Sequence, residues 1–201
     1  MTALIRRLVP PLLVLLLLLA PRAEAQQDPR PVIQSFYDVL LSSMKQASQL
    51  GFKGRFQRLD PAVRKAYDLP FMIAIAVGPS WAQLTDPQKQ KLTEAFTQFS
   101  VAQYAGRFDG YSGERFEVGG VSDNKAGKLV VTTLIQGNGE PIQLNYQLHQ
   151  VEGGWKIIDV FLSGTISQLA VNRAEFSGVI RRDGPDGLAA LLERKAADFE
   201  K

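Results

Sequence analysis

The sequence predicts an α+β domain in which a curved antiparallel sheet of four to five strands packs against several helices. Through residues 31–106 apolar residues recur every three to four positions, as helices require. Through residues 114–161 the period changes to two, which is typical of strands, and a helical pattern returns over residues 165–199. A sheet of this kind with helices on its apolar face either packs solidly or encloses a pocket, and the pattern leaves both open.

The first 25 residues are predicted to be a signal peptide that is cleaved. Arg6 and Arg7 precede an apolar run, and Ala23-Glu24-Ala25 has the small-x-small form of a cleavage site. A retained anchor is the alternative, but spanning a bilayer takes about 20 apolar residues, and the run Leu8–Ala20 is shorter and contains two prolines. We therefore expect Sec-type export to the periplasm and a mature single domain over residues 26–201.

The charge balance and the absence of cysteine exclude some classes of function. Removal of the leader takes away Arg6, Arg7, Arg22 and Glu24, so 23 basic and 20 acidic residues become 20 and 19. No basic stripe then remains in the sequence to indicate nucleic-acid binding. The sequence contains no cysteine, so disulfides and thiolate metal sites are excluded.

The helical half begins with an amphipathic helix. Pro31 suits a first helical turn, and one apolar face continues to near Gly51, where the helix is predicted to end. Asp60-Pro61 predicts a short helix, and Asp68 with Pro70 predicts another.

The segment Phe71–Val77 is apolar on every side, which predicts that it is enclosed or borders an apolar cavity. After Gly78-Pro79, the sequence Thr85-Asp86-Pro87-Gln88 has the residues of a capping box with proline in the first turn. We expect a long helix from there to about Gly106.

Four strands are predicted, joined by short turns that imply an antiparallel meander. They cover Glu114–Val118, Leu129–Gln136, Ile142–Gln150 and Trp155–Phe161, with turns at Asp123-Asn124, Gly137-Asn138-Gly139 and Gly153-Gly154. The third strand alternates strictly between apolar and polar residues, so we expect one dry face and one face open to water.

The chain is predicted to close with two helices. Thr165 and Gln168 have the spacing of a capping box, which predicts a helix from Thr165 to Arg182. After Asp183-Gly184-Pro185 a last helix carries a leucine-rich face.

The sequence offers few groups for catalysis. His149 is the only histidine, and alternation places it on the water-exposed face of the third strand. Asp159 is an acid between apolar neighbours and is a candidate general base, although capping of the backbone N–H groups that follow it is the favoured interpretation. No metal site and no cofactor are expected.

The remaining candidates are apolar and aromatic residues drawn from both the helices and the sheet. Each of them taken alone is best explained as core, but together they suit a concave lipid pocket. The predicted pocket-lining residues are Phe71, Met72, Ile75, Trp81, Phe96, Phe99, Tyr104, Leu144, Tyr146, Val160 and Phe161.

Several segments, in order and spacing, resemble the MlaC, or toluene-tolerance (Ttg2-type), family. They are Tyr67-Asp68-Leu69-Pro70-Phe71-Met72, Trp81, Thr85-Asp86-Pro87-Gln88, Tyr104-Ala105-Gly106, Gly154–Val160, and Gly164 with Phe176 and Ile180-Arg181-Arg182. Within the family, Thr165–Ala170 followed by Asn172–Phe176 is most similar to the HpnM, hopanoid-associated branch.

The resemblance implies an NTF2-like cone with lipid acyl chains between sheet and helices. It further implies a periplasmic carrier that moves phospholipid or a hopanoid-type lipid between an inner-membrane ABC transporter complex and an outer-membrane lipoprotein partner, with transient membrane contact, and so contributes to outer-membrane lipid asymmetry. No catalytic residues carry over, because the family has none.

Two other functions remain open at this point. One is a pocket enzyme of the isomerase or dehydratase type that uses Asp159 and Tyr146 as acid and base. The other is a non-catalytic interaction module with a solid core.

Overall fold

A computed structural model of the chain describes residues 28–136 and 139–201. The predicted signal peptide, and Gly137 and Asn138 of the predicted hairpin turn, lie outside the described residues. No helix in the described part of the chain is both long and apolar enough to cross a membrane.

Within the described residues, four α-helices and one 3-10 helix come first, then a five-stranded meander, then a long helix. The helices are α1 (Arg30–Lys45), α2 (Ala47–Ala66), α3 (Leu69–Val77), a 3-10 helix (Gly78–Gln83), α4 (Asp86–Arg107) and α5 (Gln168–Asp198). The strands are β1 (Arg115–Asn124), β2 (Gly127–Ile135), β3 (Ile142–Val151), β4 (Gly154–Leu162) and β5 (Ile166–Ser167). They pair antiparallel in chain order, which confirms the predicted α+β class.

The predicted starts of α3 and α4 are confirmed by their caps. The Asp68 side chain accepts a hydrogen bond from the backbone N–H of Phe71 at 3.1 Å. At α4, the Gln88 side chain accepts from the backbone N–H of Thr85 at 2.9 Å, and the Thr85 side chain accepts from the N–H of Gln88. Both caps act between residues three apart, so the local sequence alone specifies them.

The helical geometry is broken at Gly51, where a helix end is predicted, but the other predicted boundaries of the first two helices are wrong. α1 ends at Lys45, and no separate helix begins at Asp60, because α2 continues from Ala47 to Ala66 with Pro61 inside it. At the break in α2, Gly51 has a φ of 60°, which suits glycine. The buried Arg55 guanidinium donates to the carbonyls of Ala47 at 3.2 Å and Ala105 at 2.8 Å, which ties α2 to the end of α4.

The predicted cap of α5 is also wrong. Ser167, not Thr165, caps the helix and accepts from the N–H of Ala170 at 2.9 Å. Ile166 and Ser167 pair with β4 as a short fifth strand, so the helix can only begin after them. The division of the C-terminal region into two helices is confirmed, since Gly184 breaks the geometry of α5 at a φ of 70°.

A β-bulge in β4 sets which side chains face the helices. Gln147 pairs with Asp159 and Leu148 with Ile157, so Ile158 is an extra residue in β4. Residues directly opposite each other share a face. Ile157 and Val160 therefore both lie on the inner face, the side of the sheet that packs on α1 and α4.

The expectation that the other face of β3 is open to water is wrong. On this outer face Asn145 and Gln147 are only 6% and 4% exposed. The start of α3 and the turn before α5 pack there, which a pattern read along one strand does not reveal. The inner-face residues Leu144, Tyr146 and Leu148 are buried as predicted.

Candidate functional site

An inner cavity lies between the inner face of the sheet and helices α1 and α4, where an apolar pocket is predicted. Its volume is about 110 Å³. The lining residues are Tyr37, Leu40, Gln103, Tyr104, Arg107, Phe108, Phe116, Leu144, Tyr146, Val160, Leu162 and Gln168. Four of the predicted residues, Tyr104, Leu144, Tyr146 and Val160, are therefore brought together here.

Tyrosine hydroxyls are the polar groups inside this cavity and behind its wall. The hydroxyl of Tyr37 shares a hydrogen bond of 2.7 Å with Thr132, which in turn donates to the carbonyl of Leu144. The hydroxyl of Tyr104 shares a hydrogen bond with that of Tyr67, which lies behind the cavity wall. These hydroxyls are thus satisfied within the protein rather than by solvent.

Burial keeps the phenols neutral. Desolvation raises the pKa of Tyr37, Tyr67, Tyr104 and Tyr146 above the ordinary value of tyrosine, because the phenolate form loses its hydration inside the protein. The interior of the cavity therefore carries no charge at physiological pH and suits an apolar ligand.

Charge is confined to the rim. Among the twelve lining residues, Arg107 is the only charged one, and it is exposed at the end of α4. Gln103 and Gln168 are half-buried beside it. The cavity thus has apolar walls and a polar, positively charged edge, which matches an amphiphile that carries an anionic group.

A second and larger space, the α1–α2 groove, lies between helices α1 and α2 and the β3–β4 hairpin. Its volume is about 730 Å³. The lining residues are Asp28, Pro31, Val32, Ser35, Phe36, Val39, Ala62, Lys65, Ala66, Val151, Glu152, Gly153, Gly154, Trp155 and Lys156. None of the residues predicted to line a pocket is among them.

The other seven predicted residues line neither space. Phe71 on α3 is 37% exposed, and its ring centroid lies 4.8 Å from that of His149. Met72 is buried in the core, and Ile75, Trp81 and Phe161 are half-buried. Phe96 and Phe99 pack against Phe176 and Phe199 in the helical core. That these seven contact lipid remains a prediction.

Several lining residues were not among the predicted set, notably Tyr37 and Leu40 on α1 and the pair Phe108 and Phe116. The apolar face of α1 was recognisable from its spacing, but nothing in it indicates a cavity rather than solid core. Phe108 and Phe116 flank a glycine-rich turn, and only the fold brings them over Tyr37, whose ring stacks on Phe116 at 4.2 Å.

Asp159 and Tyr146 do not come together. Tyr146 lies opposite Val160 in the β3–β4 pair, so the adjacent Asp159 points to the outer face. The Asp159 carboxylate accepts from the N–H groups of Val160 at 2.8 Å and Leu169 at 2.9 Å, and from the Ser167 hydroxyl. The predicted capping role is confirmed.

His149 is not a solvated residue, contrary to prediction. Its Nε2 lies 2.8 Å from Oδ2 of Asp68, and both side chains are largely buried. The fold brings the cap of α3 onto the outer face of β3, a contact between residues 81 positions apart. In the described ranges no group of three or more His, Asp or Glu side chains is placed to hold a metal ion.

The similarities to known proteins agree with this geometry. Among solved structures, a phospholipid-binding protein from Ralstonia solanacearum, determined in complex with a phospholipid, is 24% identical and superposes with a TM-score of 0.75. The match covers 87% of this chain and 100% of that one. No curated protein sequence matches the chain. The sequence model of the MlaC protein family matches residues 34–194. The chain therefore belongs to the MlaC family.

Proposed function

We propose that this protein is a non-enzymatic periplasmic lipid carrier that takes phospholipid between the inner and outer membranes. The observation that supports this most strongly is the inner cavity, which has apolar walls, neutral phenols and a single cation at its rim. Membership of the MlaC family and the phospholipid held by the similar Ralstonia protein support the same function.

The energetics favour acyl chains inside the cavity and the head group at the rim. Each methylene removed from water stabilises the complex by roughly 0.8 kcal/mol, so one or two chains offset much of the cost of leaving a bilayer. Arg107 at the rim offers a guanidinium for a phosphate, which it can bind through two hydrogen bonds.

The cavity must widen to accept a chain. Its volume of about 110 Å³ is well below the roughly 300–1,000 Å³ of ordinary ligand pockets. The walls consist mainly of apolar and aromatic side chains, whose contacts are not strongly directional and can be exchanged for contacts with a ligand.

An enzymatic function has little support in the site. The acid predicted as a general base, Asp159, is used to hold the start of α5 and lies on the opposite face from Tyr146. The proposal therefore assigns no reaction to the cavity.

The partners in this proposal are an inner-membrane ABC transporter complex and an outer-membrane lipoprotein, as the family resemblance implies. The near balance of 20 basic and 19 acidic residues after residue 25 suits a carrier that must leave anionic membranes, because a strongly basic one would be retained there.

The test is to purify the protein from a native periplasm without detergent, extract it with organic solvent and identify the lipids by mass spectrometry. We expect phospholipid in about equimolar amount. A hopanoid in place of phospholipid would change the cargo but keep the carrier. No extracted lipid, together with no uptake from labelled phospholipid vesicles, would contradict the proposal.

A further inference from the structure

The inner cavity and the α1–α2 groove share one wall. Consecutive residues of α1 face the two spaces, since Phe36 lines the groove and Tyr37 lines the cavity. Their ring centroids are 6.1 Å apart. Helix α1 therefore passes between the two spaces and presents a side chain to each.

The wall consists of aromatic rings in contact with each other, which form one continuous aromatic layer. The ring of Tyr104, which lines the cavity, meets the ring of Phe36 edge to face with centroids 4.9 Å apart. Tyr67 completes the layer, with its ring 5.6 Å from Phe36 and its hydroxyl bonded to that of Tyr104. A path from the cavity to the groove therefore requires the rings of Tyr104 and Phe36 to move apart.

We propose that the α1–α2 groove is a second acyl-chain subsite, which the distal part of a lipid chain enters from the inner cavity through this aromatic wall. The inference rests on the proposed lipid-carrying function. It adds the location of the part of an acyl chain that the cavity alone is too small to hold.

The size of the two spaces supports this. At about 110 Å³ the cavity holds only a fragment of a chain, whereas the groove, at about 730 Å³, lies within the range of ligand pockets. An acyl chain that crosses the wall enters the groove, which is already open. The sheet and the helices therefore need not separate along their whole length to make room for it.

The chemistry of the groove favours a hydrocarbon over a charged head group. Its inner wall carries Val32, Phe36, Val39, Ala62 and Trp155. Its charged residues are two acids, Asp28 and Glu152, and two bases, Lys65 and Lys156, which leave no net charge. The Lys156 ammonium also donates to the carbonyls of Arg64 and Lys65 and is thereby engaged.

Opening the wall at Tyr104 breaks the hydrogen bond that joins its hydroxyl to that of Tyr67. The hydrogen bond between Tyr67 and Tyr104 joins two neutral hydroxyls, and such bonds are weaker than those of charged groups. The remaining contacts in the layer are between aromatic rings, which an acyl chain can replace with contacts of its own.

Trp155 provides a local reporter for this subsite. The chain has two tryptophans, and Trp81 lines neither space, so a Trp81→Phe variant emits from the groove alone. Phosphatidylcholine brominated near the methyl ends of its chains should lower this emission at least twofold, whereas bromine near the ester groups should have little effect. Trp155→Phe, which emits from Trp81, is the matched control and should respond to neither lipid.

Lipid binding is measured in parallel by co-elution of a dye-labelled phospholipid. Bound lipid with unquenched Trp155 emission overturns the subsite and leaves the carrier function standing. If no phospholipid binds to the unsubstituted protein, both proposals fail.

A variant that narrows the groove gives an independent test. Ala62 lines the groove and is half-buried on α2, so Ala62→Leu should weaken binding of long-chain phosphatidylcholine at least fivefold. Phosphatidylcholine with chains of half that length should bind as before. The matched control is Ala74→Leu on α3, a half-buried alanine outside both spaces, which should change neither affinity. An equal loss for both chain lengths would contradict the subsite.

Discussion

The two faces of β3 are both buried, but they are built differently. On the outer face, Asn145 and Gln147 are closed in by hydrogen bonds, for example from Asn145 to the carbonyl of Gly164 at 3.3 Å and from Gln147 to that of Lys128 at 3.2 Å. On the inner face, Leu144 and Tyr146 border the cavity. The strand thus has one polar face, whose side chains are hydrogen-bonded, and one apolar face, which borders the inner cavity.

The difference indicates which side can change shape. Hydrogen bonds are directional, and a buried polar group that loses its partner is costly, so the outer face is held in one arrangement. Apolar contacts have no such requirement. We infer that the outer face fixes the fold while the inner face adapts to a ligand.

The largest expected effect is a loss of stability at alkaline pH, which is caused by the phenols that pack between the inner face and the helices. The pKa of each of the four interior phenols is raised in the folded state, so their contribution is complete below about pH 10 and is lost as the pH rises further. A phenol that stays neutral in the folded protein lowers the free energy of unfolding by about 1 kcal/mol between pH 10 and 11, so the four together should lower it by up to about 4 kcal/mol.

Urea unfolding followed by circular dichroism at these pH values measures this loss. Tyr146→Phe should reduce this loss of stability between pH 10 and 11, because it removes one of the phenols whose pKa is raised. A free energy of unfolding that does not change over this range would show that the phenols are not held neutral.

The next effect concerns the outer face. Asp159→Ala leaves the N–H groups of Val160 and Leu169 and the hydroxyl of Ser167 without their acceptor. The free energy of unfolding should fall by about 2–3 kcal/mol, with phospholipid affinity unchanged in the folded protein. Urea unfolding and vesicle uptake measure the two quantities. A loss of uptake at full stability would instead place Asp159 in the lipid site.

A substitution that fills the inner cavity should instead lower phospholipid affinity and leave the stability nearly unchanged. Val160→Phe adds a ring to the cavity wall, so phospholipid affinity should fall at least tenfold, equivalent to about 1.4 kcal/mol, while the free energy of unfolding changes by less than about 1 kcal/mol. Val171→Phe, at a half-exposed position on α5 outside both spaces, is the control. Unchanged affinity in Val160→Phe would exclude the inner cavity as the site.

The smallest effect is expected at the junction of α3 with the outer face. Asp68→Ala removes both the cap of α3 and the partner of His149, and should lower the free energy of unfolding by about 1 kcal/mol. Asp68→Asn keeps a capping oxygen and should lose less. Thermal unfolding measures the stability of both variants. An equal loss of stability in the two would show that the cap contributes nothing.

The comparison of faces also shows how far the sequence predicts the structure. The caps at Thr85 and Asp68 and the inner alternation of Leu144, Tyr146 and Leu148 were predictable, because each depends on residues a few positions apart. Burial of Asn145 and the pairing of His149 depend on segments far away in the chain, so the local pattern could not predict them.

The residues of the candidate site also fall into a group that the sequence predicts and a group that it does not. Tyr104, Leu144, Tyr146 and Val160 were found because they are apolar or aromatic and lie on elements predicted to face each other. The contribution of Tyr37, and the exclusion of Phe71 from both spaces, depend on how α1 and α3 pack. A bulge at Ile158, which has no clear signature in the sequence, decides that Val160 rather than Phe161 faces the cavity.

The central claim is that lipid acyl chains lie against the inner face of the sheet. Photo-crosslinking with a phosphatidylcholine that carries a diazirine in its acyl chain, followed by peptide mapping, tests this most directly. The account predicts labelled peptides from α1, α4, β3 and β4 that include Tyr37, Tyr104, Tyr146 and Val160. Labelling confined to α3 around Phe71, with none on the inner face of the sheet, would contradict it.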